Sequence, residues 1–177
     1  MSNIITNEEF KTFRNITYKV DESKITISIT QAHTDLREVL GDAFYFDVIK
    51  NKGSYSELLD GFEFEVDGNE YIHEGLKSLL ADYAYSRYLY EINITHSPFG
   101  MVQKTNQDSE PLDRNMIRDL VKQVNMDASR KWELITVYLD ANKETYKVWA
   151  EQEPEDTEDG TGFNKTRFTF LSTNRYN

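Results

Sequence analysis

The sequence predicts a mainly α protein: an antiparallel bundle of about four helices with one β-hairpin insertion and an extended C-terminal tail. Three observations carry this expectation. Apolar residues recur with helical spacing in three long windows. One Asp-Gly pair, Asp67-Gly68, is flanked by alternating residues. Only three prolines and eight glycines occur in 177 residues, which leaves little sequence suited to irregular structure. A chain of this length forms one domain with a well-buried core, here residues 1–150, followed by an acidic linker and docking tail over 151–177.

In chain order, Thr6 or Asn7 caps a short helical turn for which Phe10 and Phe13 supply an apolar foot. Acids at Asp21 and Glu22 then mark a positive helix end. Ile25, Ile29, Ala32, His33, Leu36 and Leu40 form a stripe that stops at Gly41. Ile25, Ile27 and Ile29 also alternate with period two, but the continuation to Leu40 favours helix. Asp42 caps a second helix over 43–50 whose Phe44, Tyr45, Phe46, Val48 and Ile49 are apolar almost all round, a pattern that asks for burial on two sides. Tyr55, Leu58 and Leu59 form a short amphipathic piece. Phe62 to Val66 and Glu70 to Ile72 are the arms of the hairpin at about 62–72, which is marginal alone and must pack on helices or join a neighbouring chain.

The central helix runs from Leu76 to Tyr90. Leu76, Leu79, Leu80, Tyr83, Ala84 and Tyr88 share its inner face, whereas Tyr85 and Tyr90 fall off that stripe and are expected at an interface. The pattern breaks at Thr95-His96-Ser97-Pro98-Phe99-Gly100, read as a loop. Ser109-Glu110-Pro111 then signals the start of the longest helix, carried by Ile117, Val121, Val124, Ala128, Trp132, Ile135 and Leu139 and extending toward Trp149 past a weak point at Ala141-Asn142. Residues 151–159 hold six acids and no Lys or Arg. Residues 160–177 reverse this, with Lys165, Arg167 and Arg175 and no acids, around a strand-like Phe168-Thr169-Phe170-Leu171. Arginines beside aromatics are enriched at binding hot spots, so this end is expected to dock on a partner.

The net charge of −11 disfavours binding to nucleic acid phosphates. With no cysteine there is neither a disulfide nor a thiol nucleophile, and a zinc site would need His and carboxylates. His33, His73 and His96 lie on different elements without metal-ligand spacing, and carboxylate pairs such as Glu63/Glu65 or Asp156/Asp159 read as solvated faces. No nucleophile elbow, P-loop or dinucleotide fingerprint occurs. The expectation is therefore a non-enzymatic protein with no cofactor, no metal and no catalytic residue. The N-terminal stretch lacks the pattern of a signal peptide and no window approaches a membrane span, so synthesis in the cytoplasm and no membrane contact are expected.

The order of a helix ending at Leu40-Gly41, a buried aromatic helix, the Asp67-Gly68 hairpin, Gly75-Leu76-Lys77, the Tyr-rich run at 83–90, Thr95 through Gly100, Val102 and Lys104, and a long final helix ending near Trp149 resembles head-to-tail connector (adaptor) proteins of tailed bacteriophages, particularly crAss-like phages. The likeness covers roughly residues 20–150. It implies a structural virion protein of the neck between capsid and tail, forming a homo-oligomeric ring, commonly a dodecamer, beneath the portal. Such a ring extends the channel through which DNA passes without specific binding, and its opposite face receives tail or further connector proteins. On that reading Tyr85, Tyr90, Phe62, Phe64, Tyr71, Pro98, Phe99 and Gly100 are subunit-interface residues. Arg167, Phe168, Phe170, Leu171, Arg175 and Tyr176 would dock on the portal. The alternative from the charge alone is a small acidic DNA mimic that inhibits a host nucleic-acid-binding enzyme.

Overall fold

Asp21 opens the first long helix by accepting a hydrogen bond from the Ser23 amide at 3.1 Å. In the computed structural model, which describes residues 3–16, 20–92, 94–97, 100–103 and 113–152, this helix is preceded by α1 (Asn7–Arg14) and is α2 (Glu22–Leu40). Thr6 caps α1 through a full capping box: its hydroxyl accepts from the Glu9 amide at 3.1 Å, and the Glu9 carboxylate accepts from the Thr6 amide at 2.7 Å. The isoleucine ambiguity resolves as helix. Ile25 and Ile29, four apart, are fully buried, while Ile27 is 50% exposed.

Gly41, at φ +76°, ends α2 and leads directly into α3 (Asp42–Lys50). Asp42 is therefore the first residue of α3 and not its cap. Its carboxylate accepts from Arg37 Nε at 2.7 Å and Nη2 at 2.6 Å instead. The all-round apolar pattern of α3 is buried on one side: Phe44, Tyr45 and Val48 are in the core, and Phe46 remains exposed beneath the Arg37 guanidinium. A 3-10 turn (Lys52–Tyr55) and the short α4 (Ser56–Asp60) follow. Then come the antiparallel strands β1 (Phe62–Val66) and β2 (Asn69–His73), the expected hairpin.

Helix α5 (Gly75–Glu91) is central, packed between α2 and α6 (Arg114–Ala141). Both neighbours run antiparallel to it. Arg87 near the end of α5 forks onto Asp35 of α2 at 2.6 and 2.8 Å, and Lys24 at the start of α2 donates to the Glu91 carbonyl. Ser78 near the start of α5 meets Lys131 of α6, whereas Leu89 packs with Ile117 and Val121.

Two expectations about the second half of the chain are corrected. The stretch 94–103 is a second antiparallel hairpin, β3 (Ile94–Ser97) and β4 (Gly100–Gln103), rather than a loop. Helix α6 starts at Arg114 behind Asp113, whose carboxylate accepts from the Asn115 amide at 3.2 Å, so the cap is Asp113 and the proline signal lies upstream of the helix. The chain turns after Asn142 and forms α7 (Lys147–Ala150). This reversal brings Trp149 edge-on to Trp132 with ring centroids 5.9 Å apart and tilted against Phe44 at 5.7 Å, closing the core. Among the described residues no helix is long and apolar enough to cross a membrane.

Candidate interaction surfaces

The first hairpin divides by pleat into two chemically different faces. Asp67 and Gly68 both have positive φ, +52° and +77°, as a tight primed turn requires. On the inner face Phe62, Phe64, Tyr71 and His73 lie over α6. The rings of Phe64 and Tyr71 stack at 5.6 Å, and Tyr138 meets Phe64 at 5.1 Å, His73 at 4.4 Å and Phe62 at 6.2 Å. The hairpin thus gains its support inside its own chain. Its outer face carries Glu63, Glu65, Glu70 and Ile72, all exposed, with Ile72 61% so. Glu65 and Glu70 are direct cross-strand partners.

At the base of this hairpin lies an open groove of about 720 Å³, lined by Phe13 of α1, Asp60 to Glu63, Ile72, His73, Glu74 and Ser78. Phe13 and Phe62 are each more than 40% exposed. Gly61 and Gly75 let the walls approach closely: a Cβ on Gly75 would lie 2.4 Å from the Leu59 carbonyl oxygen, and one on Gly61 would lie 2.7 Å from that of His73. His73 is 1% exposed with both imidazole nitrogens unpartnered, and burial pushes its pKa down to about 4.

Behind the groove an ion network ties α1, α5 and α6 together. Asp82, 1% exposed, contacts Arg14 Nη1 and Lys131 Nζ, each at 3.0 Å. These are ion contacts off the hydrogen-bond line, since both Asp82 oxygens lack an aligned donor. Burial raises the Asp82 pKa against the opposing pull of Arg14 and Lys131. Lys131 also reaches Glu74 Oε2 at 2.8 Å and donates to Ser78 Oγ at 2.7 Å, and the Ser78 hydroxyl donates to Glu74 at 2.8 Å. Burial alone would raise the Glu74 pKa; Lys131 and Ser78 more than reverse this and hold it low. The Arg14 guanidinium lies 4.5 Å from the centre of the Tyr85 ring. Beyond the hairpin, Tyr138 donates to Glu57 and accepts from Tyr146, each at 2.9 Å, and Tyr146 stacks on Tyr55 at 5.8 Å.

The residues expected at interfaces fall in different places. Tyr90 is exposed. Tyr85 is half-buried, stacked on Tyr88 and packed against both apolar clusters formed by the described residues. Phe62 rims the groove, while Phe64 and Tyr71 are half-buried in the inner face of the hairpin. Gly100 opens β4; Pro98 and Phe99 lie outside the described residues, as do Arg167, Phe168, Phe170, Leu171, Arg175 and Tyr176. His33 is buried with its Nδ1 2.9 Å from the Tyr45 hydroxyl. Among the described residues no group of three or more His, Asp or Glu is placed to hold a metal ion.

A further surface lies on the N-terminal half of α6. Its inner side, Ile117, Val121 and Val124, packs with Leu89 in a small cluster separate from the main core. Arg114, Arg118, Lys122 and Met126 recur every four residues on an exposed side. This basic stripe was legible from its spacing but is hidden in the overall acidic balance. What these surfaces supply is charge and apolar contact area.

Comparison with protein families matches residues 36–158, over two thirds of the sequence, to a family of unknown function (DUF6712). The chain belongs to this family. The region shared with DUF6712 runs from the end of α2 through both hairpins, α5, α6 and α7, and so contains both charged surfaces and the groove lining except Phe13. No curated protein and no solved structure matches the chain.

Proposed function

We propose that this DUF6712 protein is a non-enzymatic structural subunit of a bacteriophage neck, forming a ring that joins the portal to the tail and extends the DNA exit channel. The observation that carries the reading is the outer half of the first hairpin. Its inner face is stabilised by Tyr138, yet its outer face and both strand edges have no partner among the described residues. Exposed Phe13, Phe62 and Ile72 beside it add apolar area suited to a neighbouring subunit. The net charge of −11, repeated around a ring, makes a passage that repels its cargo. The resemblance to connector proteins supplies the ring, the portal and the tail-side partner. On this reading Tyr90, Phe62, Pro98, Phe99 and Gly100 contribute to contacts between copies, and the basic aromatic end from Arg167 to Tyr176 docks on the portal.

Co-sedimentation with purified portal rings tests the proposal. The expected result is a saturable complex, seen by electron microscopy as an added ring on one portal face. A protein that remains monomeric alone and never sediments with portal rings overturns it.

A further inference from the structure

Two exposed surfaces of the subunit have opposite charge, similar size and no means of meeting within one chain. The outer face of the first hairpin carries Glu63, Glu65 and Glu70 with Ile72 beside them. The exposed side of α6 carries Arg114, Arg118 and Lys122 with Met126 in the next turn. The hairpin is anchored at Tyr138, twenty positions beyond Arg118 on the same helix. At 1.5 Å per residue that is about 30 Å, several times the screening length of about 8 Å at physiological salt.

We infer that the acidic hairpin face of one copy docks on the Arg114, Arg118 and Lys122 stripe of the next. The inference rests on the ring reading and deepens it by naming which two faces meet. Like charges placed directly across a ladder weaken it, and Glu65 sits directly opposite Glu70 in a hairpin of only two strands. A row of cations laid over that face removes the repulsion. The acids fit within the stripe, because Arg114 to Lys122 spans about 12 Å of helix, whereas Glu63 to Glu65, with Glu70 opposite Glu65, occupies about 7 Å along the arm. Ile72 and Met126, both close to half exposed or more, place an apolar side chain at each surface to exclude water. Because the two faces differ, the contact is heterologous and propagates from copy to copy, as a ring requires when the rotation between copies closes.

Charge reversal tests this. One variant carries Glu63→Lys, Glu65→Lys and Glu70→Lys; the other carries Arg114→Glu, Arg118→Glu and Lys122→Glu. All six residues are exposed. Sedimentation of the full chain, alone and on portal rings, should show each variant at least tenfold weaker than wild type in copy-to-copy association. An equimolar mixture should recover it, since each altered face then meets its complement, and rising salt should weaken the wild-type contact. As a second measurement independent of hairpin stability, Glu65→Cys and Arg118→Cys copies, in a chain with no other cysteine, should form a mixed disulfide dimer on oxidation. Wild-type rings with unaffected variants, or a mixture no better than either variant alone, overturn the docking but keep the ring. Wild type that neither self-associates nor binds portal rings overturns both.

Discussion

The imidazole of His73 lies over the phenol of Tyr138 with ring centroids 4.4 Å apart, and both its nitrogens are buried without a partner. It is therefore held neutral. Its folded pKa of about 4 is below the ordinary value of 6.5, so the unfolded chain takes up the proton first as pH falls. Stability contributed by the neutral ring is complete above pH 6.5 and is lost progressively down to about pH 4, by an amount on the order of 3 kcal/mol. Urea denaturation at several pH values should show this slope, and His73→Phe should flatten it while raising stability at neutral pH by about 1 kcal/mol.

Asp82 titrates with the opposite sign. Its folded pKa is raised, so the folded chain gains stability as pH falls from that value toward 3.8 and loses it as pH rises. Asp82→Asn keeps the shape without the buried charge, so it should flatten this pH dependence in the same denaturation assay and leave stability at neutral pH no lower than that of the wild type.

Gly75 joins the hairpin to α5 at φ +82°, with the backbone of Leu59, Asp60 and Gly61 under 3 Å from where a Cβ would stand. Gly75→Ala combines a left-handed conformation with a backbone clash and should cost about 3 kcal/mol or more. Gly53 has open space around it and no positive φ; Gly53→Ala should change the midpoint by less than a third as much. Equal effects of the two would show that the close approach is not what fixes this junction.

Thr6 and Glu9 close a reciprocal capping box on α1, the helix that places Phe10 in the core and Arg14 against Asp82. Thr6→Ala should cost about 1 kcal/mol. Because α1 delivers Arg14, the cost should be smaller in a background already carrying Arg14→Met, a coupling that a double-mutant cycle measures.

What the sequence disclosed followed the range of its signals. Ile25, Ile29 and Leu36, or Leu76, Leu79 and Tyr88, announce their helices because helical spacing is local and repeats over several turns. Asp67-Gly68 announces its hairpin through the backbone geometry those two residues permit. The strand pair Ile94–Ser97 and Gly100–Gln103 escapes the sequence pattern because its four-residue arms hold too few alternations to outweigh the Pro98 and Gly100 signals. The Pro111 signal overshadowed the real cap, Asp113, two positions later. Arg14, Asp82 and Lys131 form one network yet are far apart in sequence, and nothing local to any of them points to the others. The surplus of tyrosine was legible as a composition, but its division between Tyr138 at the heart of the hairpin contact and Tyr90 on the surface depends on which helix turns toward which strand.

Helix α6 extends for 28 residues, about 42 Å, against about 26 Å for the 17 residues of α5. Alongside the last turns of α5 its N-terminal half packs in a cluster of only four buried side chains, Leu89, Ile117, Val121 and Val124, apart from the main core. The two ends of one continuous helix therefore differ in local free energy of opening. Amide exchange should be fast and sub-global from Ile117 to Val124 and slow, tracking global unfolding, from Trp132 to Leu139. The basic stripe sits on the end that opens most readily, so a neighbour that clamps it also sets how much of α6 is rigid.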